Sequence, residues 1–206
     1  MLGVSNADRE PRRSSRQEAR RAATRAEILE AAWELVREHG LAALSLRDLA
    51  ARVGMRAPSL YSYFDSKHAL YDAMFADGYR QALAELDPSG PDDTRRALKA
   101  WARTFFDFCN ADPVRAQLMF QRPVPGWEPS PDAYAPSVEF LERTRRAFAA
   151  RGITDPQDLD LWTALLSGLV SQQLANEPGG DRWARLVDRV CDMYVNDIET
   201  KHKERQ

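Results

Sequence analysis

The side chains best suited to chemistry lie between residues 45 and 67, and they suit the binding of anions and base edges. Arg47 and Arg56 each carry a guanidinium group, which can hold O6 and N7 of a guanine together. Ser59, Ser62 and Ala57 share the same predicted outer surface. Hydroxyl and ammonium groups at helix starts suit phosphate oxygens, which predicts a positioning role for Ser45, Tyr61, Tyr63 and Lys67.

Several of these assignments have a structural alternative. Tyr61 or Tyr63 can belong to the core, and Arg47 can simply pair with a neighbouring acidic side chain. The residue types alone leave both alternatives open.

The elements that position these side chains are predicted to be two short helices joined by a tight turn. Ser45 can cap the first helix, with Asp48 three residues later. Gly54 is typical of a helix C-terminal stop, and Pro58 suits the first turn of a second helix. The apolar spacing i, i+3, i+4, i+7 gives the first helix one buried face, made of Leu46, Leu49, Ala50 and Val53. Leu60 and Phe64 are the inward pair of the second.

This arrangement is a helix-turn-helix, in which the second helix enters the major groove of DNA. The segment from about residue 20 to about residue 75 resembles the N-terminal domain of the tetracycline-repressor (TetR) family of bacterial regulators. The features that carry the resemblance are, in chain order, Glu38-His39-Gly40, Ser45, Gly54-Met55, Leu60-Tyr61, Tyr63-Phe64 and Ser66-Lys67.

One feature departs from the family pattern. Many members carry Ser-Lys-Gly between the turn and the Leu-Tyr pair, whereas this chain has Arg56-Ala57-Pro58. Base contacts known for other members therefore do not transfer to this chain.

The resemblance implies a homodimeric transcriptional regulator, with a C-terminal cavity whose occupancy moves the fourth helix and changes the separation of two recognition helices. The expected function is repression at a near-palindromic operator, relieved by a small apolar effector, with no cofactor. The alternative is a helical ligand-binding or scaffold protein without DNA binding.

The predicted fold is all-α, because every apolar run has a helical period or is interrupted by proline. We expect a disordered basic arm at residues 1–19, a helix-turn-helix domain at 20–67 and a helical effector-binding and dimerisation domain at 68–201.

The distribution of charge follows this division: residues 1–67 hold 12 Lys and Arg against 9 Asp and Glu, net +3, whereas the remainder holds 17 against 22, net −5. A basic end on an acidic body fits contact with phosphates at one end only.

Aromatic and apolar side chains downstream could line the effector cavity, although aromatics at helical spacing also form ordinary core. A Pro-rich segment at 122–136 is predicted to be either a lid or a crossover packed by its aromatics. The candidate cavity residues are Trp101, Phe105, Phe108, Met119, Phe120, Trp127, Tyr134 and Trp162, with Gln172 or Gln173 as the polar group.

The last two helices are the predicted dimer interface, because the first of them is apolar on nearly all sides. The alternative is that both are core helices of a monomer. The predicted interface residues are Leu159, Trp162, Leu166, Leu169, Trp183, Val187, Val190 and Tyr194.

Other classes of function find no support in the sequence. Nucleotide-binding glycine motifs, metalloprotease motifs and nucleophile elbows do not occur, so we expect no enzyme. His39, His68 and His202 form no ligand cluster, and Cys109 and Cys191 lie in apolar helical stretches as expected for buried free thiols, so no metal site is predicted. No apolar run reaches the roughly 20 residues of a membrane span, and we expect a cytoplasmic protein.

Overall fold

The computed structural model describes residues 10–88, 90–121 and 123–204, with side chains from residue 16 onward. Short 3-10 turns lie at Leu41–Ala43 and Ala184–Leu186. These residues contain no strand, which confirms the predicted all-α fold. The helices are α1 (Glu10–His39), α2 (Leu46–Arg52), α3 (Ala57–Tyr61), α4 (Lys67–Glu85), α5 (Thr94–Ala111), α6 (Pro113–Phe120), α7 (Pro131–Ala149), α8 (Pro156–Asn176) and α9 (Val187–Glu204).

The chain divides into two compact units between Met74 and Phe75, inside α4. We had placed the boundary between residues 67 and 68, at the start of this helix. The first turns of α4 belong to the first unit because the Tyr71 hydroxyl donates a hydrogen bond to the Leu41 carbonyl at 2.6 Å. Burial raises the pKa of Tyr71 to about 12, so this hydroxyl keeps its proton.

The first helix is longer than predicted. Residues 10–19, which we assigned to a disordered arm, are helical, and Thr24, which fits a capping box in the sequence, lies inside α1. Pro11 occupies the start of the helix, where its missing N–H costs nothing, and the Ala-, Arg- and Glu-rich run that follows favours helix. The rest of the predicted arm, residues 1–9, lies outside the described residues.

The turn between α2 and α3 forms as its residue types predict. The Ser45 hydroxyl accepts a hydrogen bond from the Asp48 N–H at 3.4 Å. Gly54 adopts a positive φ of 66°, and the Met55 N–H donates to the Ala50 carbonyl at 2.8 Å, which closes the C-terminus of α2. Leu49 and Leu60 are completely buried and join the two helices to the core of the first unit.

The second unit is organised around α5, which packs on α8 and α9. At its centre Trp162 is 1% exposed, with its ring centroid 5.8 Å from that of Trp101, 5.5 Å from Phe148 and 5.0 Å from Tyr194. These ring contacts fix the inward face of α8.

Helix α7 begins within the Pro-rich segment, at Pro131, with the Ser130 hydroxyl as its cap, and Pro136 lies inside it. Proline is tolerated in the first turn, so Pro131 is compatible with this helix start. A 3-10 turn at Ala184–Leu186 precedes α9, which begins at Val187.

Two further observations limit the kinds of site available. Within the described ranges, no helix is both long and apolar enough to cross a bilayer. The same residues bring together no group of His, Cys, Asp and Glu that could hold a metal ion.

The two cysteines provide a test of the second unit's packing. Cys109 and Cys191 are buried free thiols, and burial raises the pKa of each to about 12. Because the thiolate is the reactive form, we expect neither thiol to react with an aromatic disulfide reagent at about pH 8 in the native protein, and both to react after unfolding in guanidinium chloride. Rapid reaction of either thiol in the native protein would contradict the packing of α5 against α9.

Candidate nucleic-acid interface and cavity

The outer surface of α2 and α3 presents most of the predicted contact residues to solvent. Arg47, Arg56 and Ser59 are exposed, and Ala57 is half-buried at the start of α3. Neither Arg47 nor Arg56 has a side-chain hydrogen bond or ion pair within the part of the chain that the structure describes. The alternative in which Arg47 serves only as an ion-pair partner is therefore not observed.

The two tyrosines that follow occupy different environments. Tyr61 is 51% exposed, so it is not a core residue. Tyr63 is half-buried, with the Arg21 guanidinium 5.1 Å above its ring. Between them the exposed Ser62 hydroxyl donates to the Ser59 carbonyl at 2.7 Å, which helps to close the short helix α3.

Two of the predicted phosphate ligands already have a structural role. Ser45 caps α2 with its hydroxyl. The Lys67 ammonium donates to the Ala42 carbonyl at 3.2 Å and lies 5.5 Å from the Tyr71 ring centroid. The cap uses Ser45 as an acceptor and leaves its O–H free, and the Lys67 ammonium has further N–H groups, so both side chains can still donate to a phosphate.

A clamp from α1, which sequence reasoning missed, holds the end of α3. Arg21 donates a short hydrogen bond to the Ser62 carbonyl, in addition to its contact with Tyr63. The Arg25 guanidinium lies 4.5 Å from the centroid of the buried Phe64 ring. A cation at a helix C-terminus favours the helix dipole, and α3 has only five residues to stabilise itself. The sequence signal was the arginine excess near the N-terminus, which we had interpreted only as a basic end that contacts phosphates.

A second ionic contact attaches α2 to α1. The Arg52 guanidinium donates to the Glu38 carboxylate at 2.7 Å and lies 3.5 Å from the Glu34 carboxylate. This hydrogen bond lowers the pKa of Glu38 and raises that of Arg52. The pair is largely solvent-exposed, so it fixes the orientation of the two helices more than it adds stability.

The second unit contains a partly open cavity of about 180 Å³, lined by side chains from α4, α5, α7 and α8 and by the end of α6. Of the residues predicted to line a cavity, five do so: Trp101, Phe105, Phe120, Tyr134 and Trp162. The residues that sequence reasoning missed are Tyr79, Ser137, Phe140, Leu141, Thr144, Leu159, Thr163, Leu166 and Ser167. The sequence signal for a cavity lay in α7. Its helical spacing places small polar groups on the same face as larger apolar ones, in the order Tyr134, Ser137, Leu141 and Thr144.

The other predicted cavity residues lie elsewhere. Met119 and Trp127 line a neighbouring depression of about 230 Å³, which shares Tyr79, Phe120 and Tyr134 with the cavity. Two assignments are corrected. The Phe108 ring packs against the Arg115 guanidinium at 3.8 Å, and Gln172 is exposed and bonds to Asn176.

The alternative polar residue, Gln173, also serves the fold rather than the cavity. Its side-chain amide donates to the Glu177 carbonyl, and its amide oxygen accepts from the backbone N–H of Trp183 at 3.0 Å. Gln172 and Gln173 point in different directions because a step of one residue along a helix rotates the side chain by about 100° around the helix axis.

The predicted dimer residues also require correction. Most of them pack inside their own unit, because their spacing on α8 and α9 follows the face turned towards α5. Trp183 and Val190 are half-buried. The buried members are Leu159, Trp162, Leu166, Leu169, Val187 and Tyr194. A different stripe of α8 is open to solvent or half-buried: Leu161, Ala164, Leu165, Gly168, Gln172 and Ala175.

The described helices thus define a helix-turn-helix protein with an all-α second unit. Residues 28–74 match the family described as bacterial regulatory proteins, tetR family. The chain therefore carries the helix-turn-helix domain of the tetR family.

Relatives over longer stretches agree with this assignment. The HTH-type transcriptional regulator Rv1816 of Mycobacterium tuberculosis is 32% identical over 122 residues, which cover 53% of this chain and 49% of that protein. This chain spans about half the length of the curated relatives it matches.

Solved structures extend the likeness of fold to the second unit. The solved structure of the protein SCO4313 has a TM-score of 0.66 at 29% identity, covering 87% of this chain and 98% of that one. TetR-Q116A from Acinetobacter baumannii, solved in complex with minocycline, has a TM-score of 0.52 at 22% identity, covering 85% and 96%.

The Arg21 clamp is testable without DNA. We expect Arg21→Gln to speed amide exchange in residues 57–64 about fivefold, because the cation–π contact and the charge at the end of α3 are worth about 1 kcal/mol together. Hydrogen exchange followed by mass spectrometry measures this change. Arg20→Gln, a neighbouring exposed arginine, is the control, and an equal acceleration there would exclude the clamp.

Proposed function

We propose that this protein is a sequence-specific DNA-binding transcriptional regulator of TetR type, acting as a homodimeric repressor that a small apolar effector releases from a palindromic operator. The observation that carries the proposal is the outer surface of α2 and α3 within a tetR-family domain. Arg47, Arg56 and Ser59 are exposed on that surface while the opposite faces of both helices are buried.

The roles within the interface follow from side-chain chemistry. Arg56 precedes α3 and is the leading candidate for a guanine, worth roughly 1 to 3 kcal/mol of discrimination, with Arg47, Ser59 and Ser62 beside it. Tyr61 and Tyr63 offer hydroxyls for phosphates, and the backbone N–H of Ala57 at the start of α3 offers one further donor. Ser45 and Lys67 would hold phosphates beside the turn.

The proposed dimer uses the open stripe of α8 together with exposed positions of α9. Leu161 is 39% exposed on α8, and Met193 is 61% exposed on α9. Ala164 and Gly168 leave room on the same stripe for a second helix to approach closely. A symmetric pairing of these faces would present two copies of α3 to one duplex.

The effector would occupy the aromatic cavity of the second unit. An effector releases DNA only if it binds the DNA-incompetent arrangement more tightly than the competent one, since equal affinity shifts nothing. The lining is mostly aromatic and aliphatic, which suits a small apolar molecule.

The decisive experiment is a gel shift of the full chain with the DNA that flanks its own gene, at stated salt and with unrelated competitor. Specific retardation at a near-palindromic site supports the proposal. Equal binding to competitor, or none, would favour a helical ligand-binding or scaffold protein without DNA binding.

Two substitutions separate base contacts from phosphate contacts. Arg56→Ala should relax the base preference at one position, whereas Lys67→Ala should weaken binding to all sequences alike and lower the salt slope by about one. Fluorescence anisotropy across a salt series measures both. Lys203→Ala, an exposed lysine on α9, is the control, and indistinguishable effects of the first two variants would contradict the division of roles.

The dimer face has its own test. Leu161→Glu or Met193→Glu should weaken the dimer at least about tenfold, because an unpaired carboxylate would be buried between the subunits. Sedimentation equilibrium measures the dissociation constant. Val138→Glu, at an equally exposed apolar site on α7, should leave it unchanged. A wild-type chain that stays monomeric would refute this interface.

A further inference from the structure

We propose that an open groove on the second unit, separate from the aromatic cavity, binds small molecules that carry a phosphate or pyrophosphate group. The groove measures about 650 Å³ and lies between α7 and the segment that joins α4 to α5. Among the described lining residues, it shares none with the aromatic cavity. We call it the arginine groove, after the cations of one wall, and its principal lining residues are Arg143, Arg146 and Arg151 with Pro88, Gly90 and Asp92 opposite.

Two of the guanidinium groups reach across the arginine groove, and their hydrogen bonds show where they lie. Arg143 of α7 donates to the Leu83 carbonyl in the last turn of α4 at 2.7 Å. Arg151, just after the end of α7, donates to the Pro91 carbonyl at 3.3 Å. A guanidinium carries five N–H donors, so a bond to the opposite wall does not use up its capacity to bind a ligand.

The third cation belongs to the same face of α7. The groove-lining positions of this helix and its C-cap are spaced i, i+3, i+4 and i+7, which is one helix face: Arg143, Arg146, Ala147 and Ala150. Arg146 is exposed and makes no side-chain hydrogen bond or ion pair with the described part of the chain. It can therefore bind an anion without breaking a contact of the fold.

The local charge is opposite to that of the surrounding unit. Residues 68–206 carry 17 Lys and Arg against 22 Asp and Glu, net −5. The groove lining brings together three arginines and one carboxylate, that of Asp92. Asp87 lies 3.5 Å from the Arg143 guanidinium and offsets part of its charge. Three cations against these two carboxylates still leave a positive site on an acidic unit, which attracts anions.

The number of arginines indicates the class of anion. A phosphate group offers several oxygens and up to two charges, and guanidinium groups pair with such oxygens in bidentate geometry. A carboxylate has only two oxygens and one charge, so it pairs less completely with three cations. Small-molecule sites measure about 300 to 1,000 Å³, so the groove also has room for the organic part of a phosphate ester.

Isothermal titration of the full chain tests the inference with inorganic pyrophosphate as the probe, at low and equal ionic strength, against sulfate and acetate. We expect pyrophosphate to bind at least about tenfold more tightly than sulfate, because it presents more charge and more acceptor oxygens to the three guanidinium groups. Equal weak binding of all three anions would mean an adventitious ion only and would overturn the inference.

A pair of variants on α7 locates the site. Arg146→Gln should weaken pyrophosphate binding about tenfold, the size expected for one charge-assisted hydrogen bond. Arg145→Gln is the matched control, because Arg145 is equally exposed, lies off the groove face and pairs with Glu142 at 3.2 Å. The control removes the same charge and should keep the wild-type affinity. Equal losses in the two variants would show that only the overall charge matters and would refute the groove.

Hydrogen exchange on the unmutated chain gives an independent location. Pyrophosphate should slow amide exchange at residues 82–88 and 143–151 at least about twofold, because the anion bridges the two walls that Arg143 and Arg151 already connect. Sulfate at the same concentration should not.

Protection confined to residues 45–64 would place the anion on the helix-turn-helix surface instead and would overturn the inference. The result is separable from the regulator proposal. Pyrophosphate binding by a chain that ignores DNA would leave the arginine groove standing and refute only the DNA-binding role.

Discussion

The packing of Trp162 is the contact on which the second unit depends. Its ring meets Trp101 of α5, Phe148 of α7 and Tyr194 of α9, so one side chain sets the rotation of α8 against three neighbours. That rotation decides which residues of α8 line the cavity and which remain open to solvent. Together with the buried Leu166 and Leu169, this indole therefore separates the inward face of α8 from its open face.

In the first unit, the very short helix α3 is stabilised by contacts with other elements. Five residues are too few for an isolated helix, and α3 is held by contacts from outside itself. Leu60 anchors it to the core, while Arg21 and Arg25 of α1 hold its C-terminal end. The outer surface of α3 can therefore stay ordered although Arg56, Ser59 and Tyr61 are exposed.

Both units combine a rigid scaffold with polar groups that have no internal partner. Arg56, just before α3, lacks a side-chain partner among the described residues, and so do the buried indole N–H groups of Trp101 and Trp162. An unused donor held by well-packed neighbours is typical of a binding surface where it is also exposed, because the ligand completes the hydrogen bonding. The exposed Arg56 cation therefore suits a charged partner in water.

Local sequence was sufficient for the helix-turn-helix. The Ser45 cap, the Gly54 stop and the inward positions of Leu46, Leu49 and Ala50 depend on residues within one or two turns of each other, and they appear in the structure as expected. Val53, the fourth predicted inward residue, is half-buried just past the end of α2. The family resemblance rested on the same short-range features. Only the tertiary structure decided which face of α8 is inward, that Arg21 reaches Ser62 across 41 residues, and that Phe108 and Gln172 turn away from the cavity. The physical reason is that caps and turns are set by neighbours in the chain, whereas burial and donor pairing are set by whichever distant side chains the packing brings into contact.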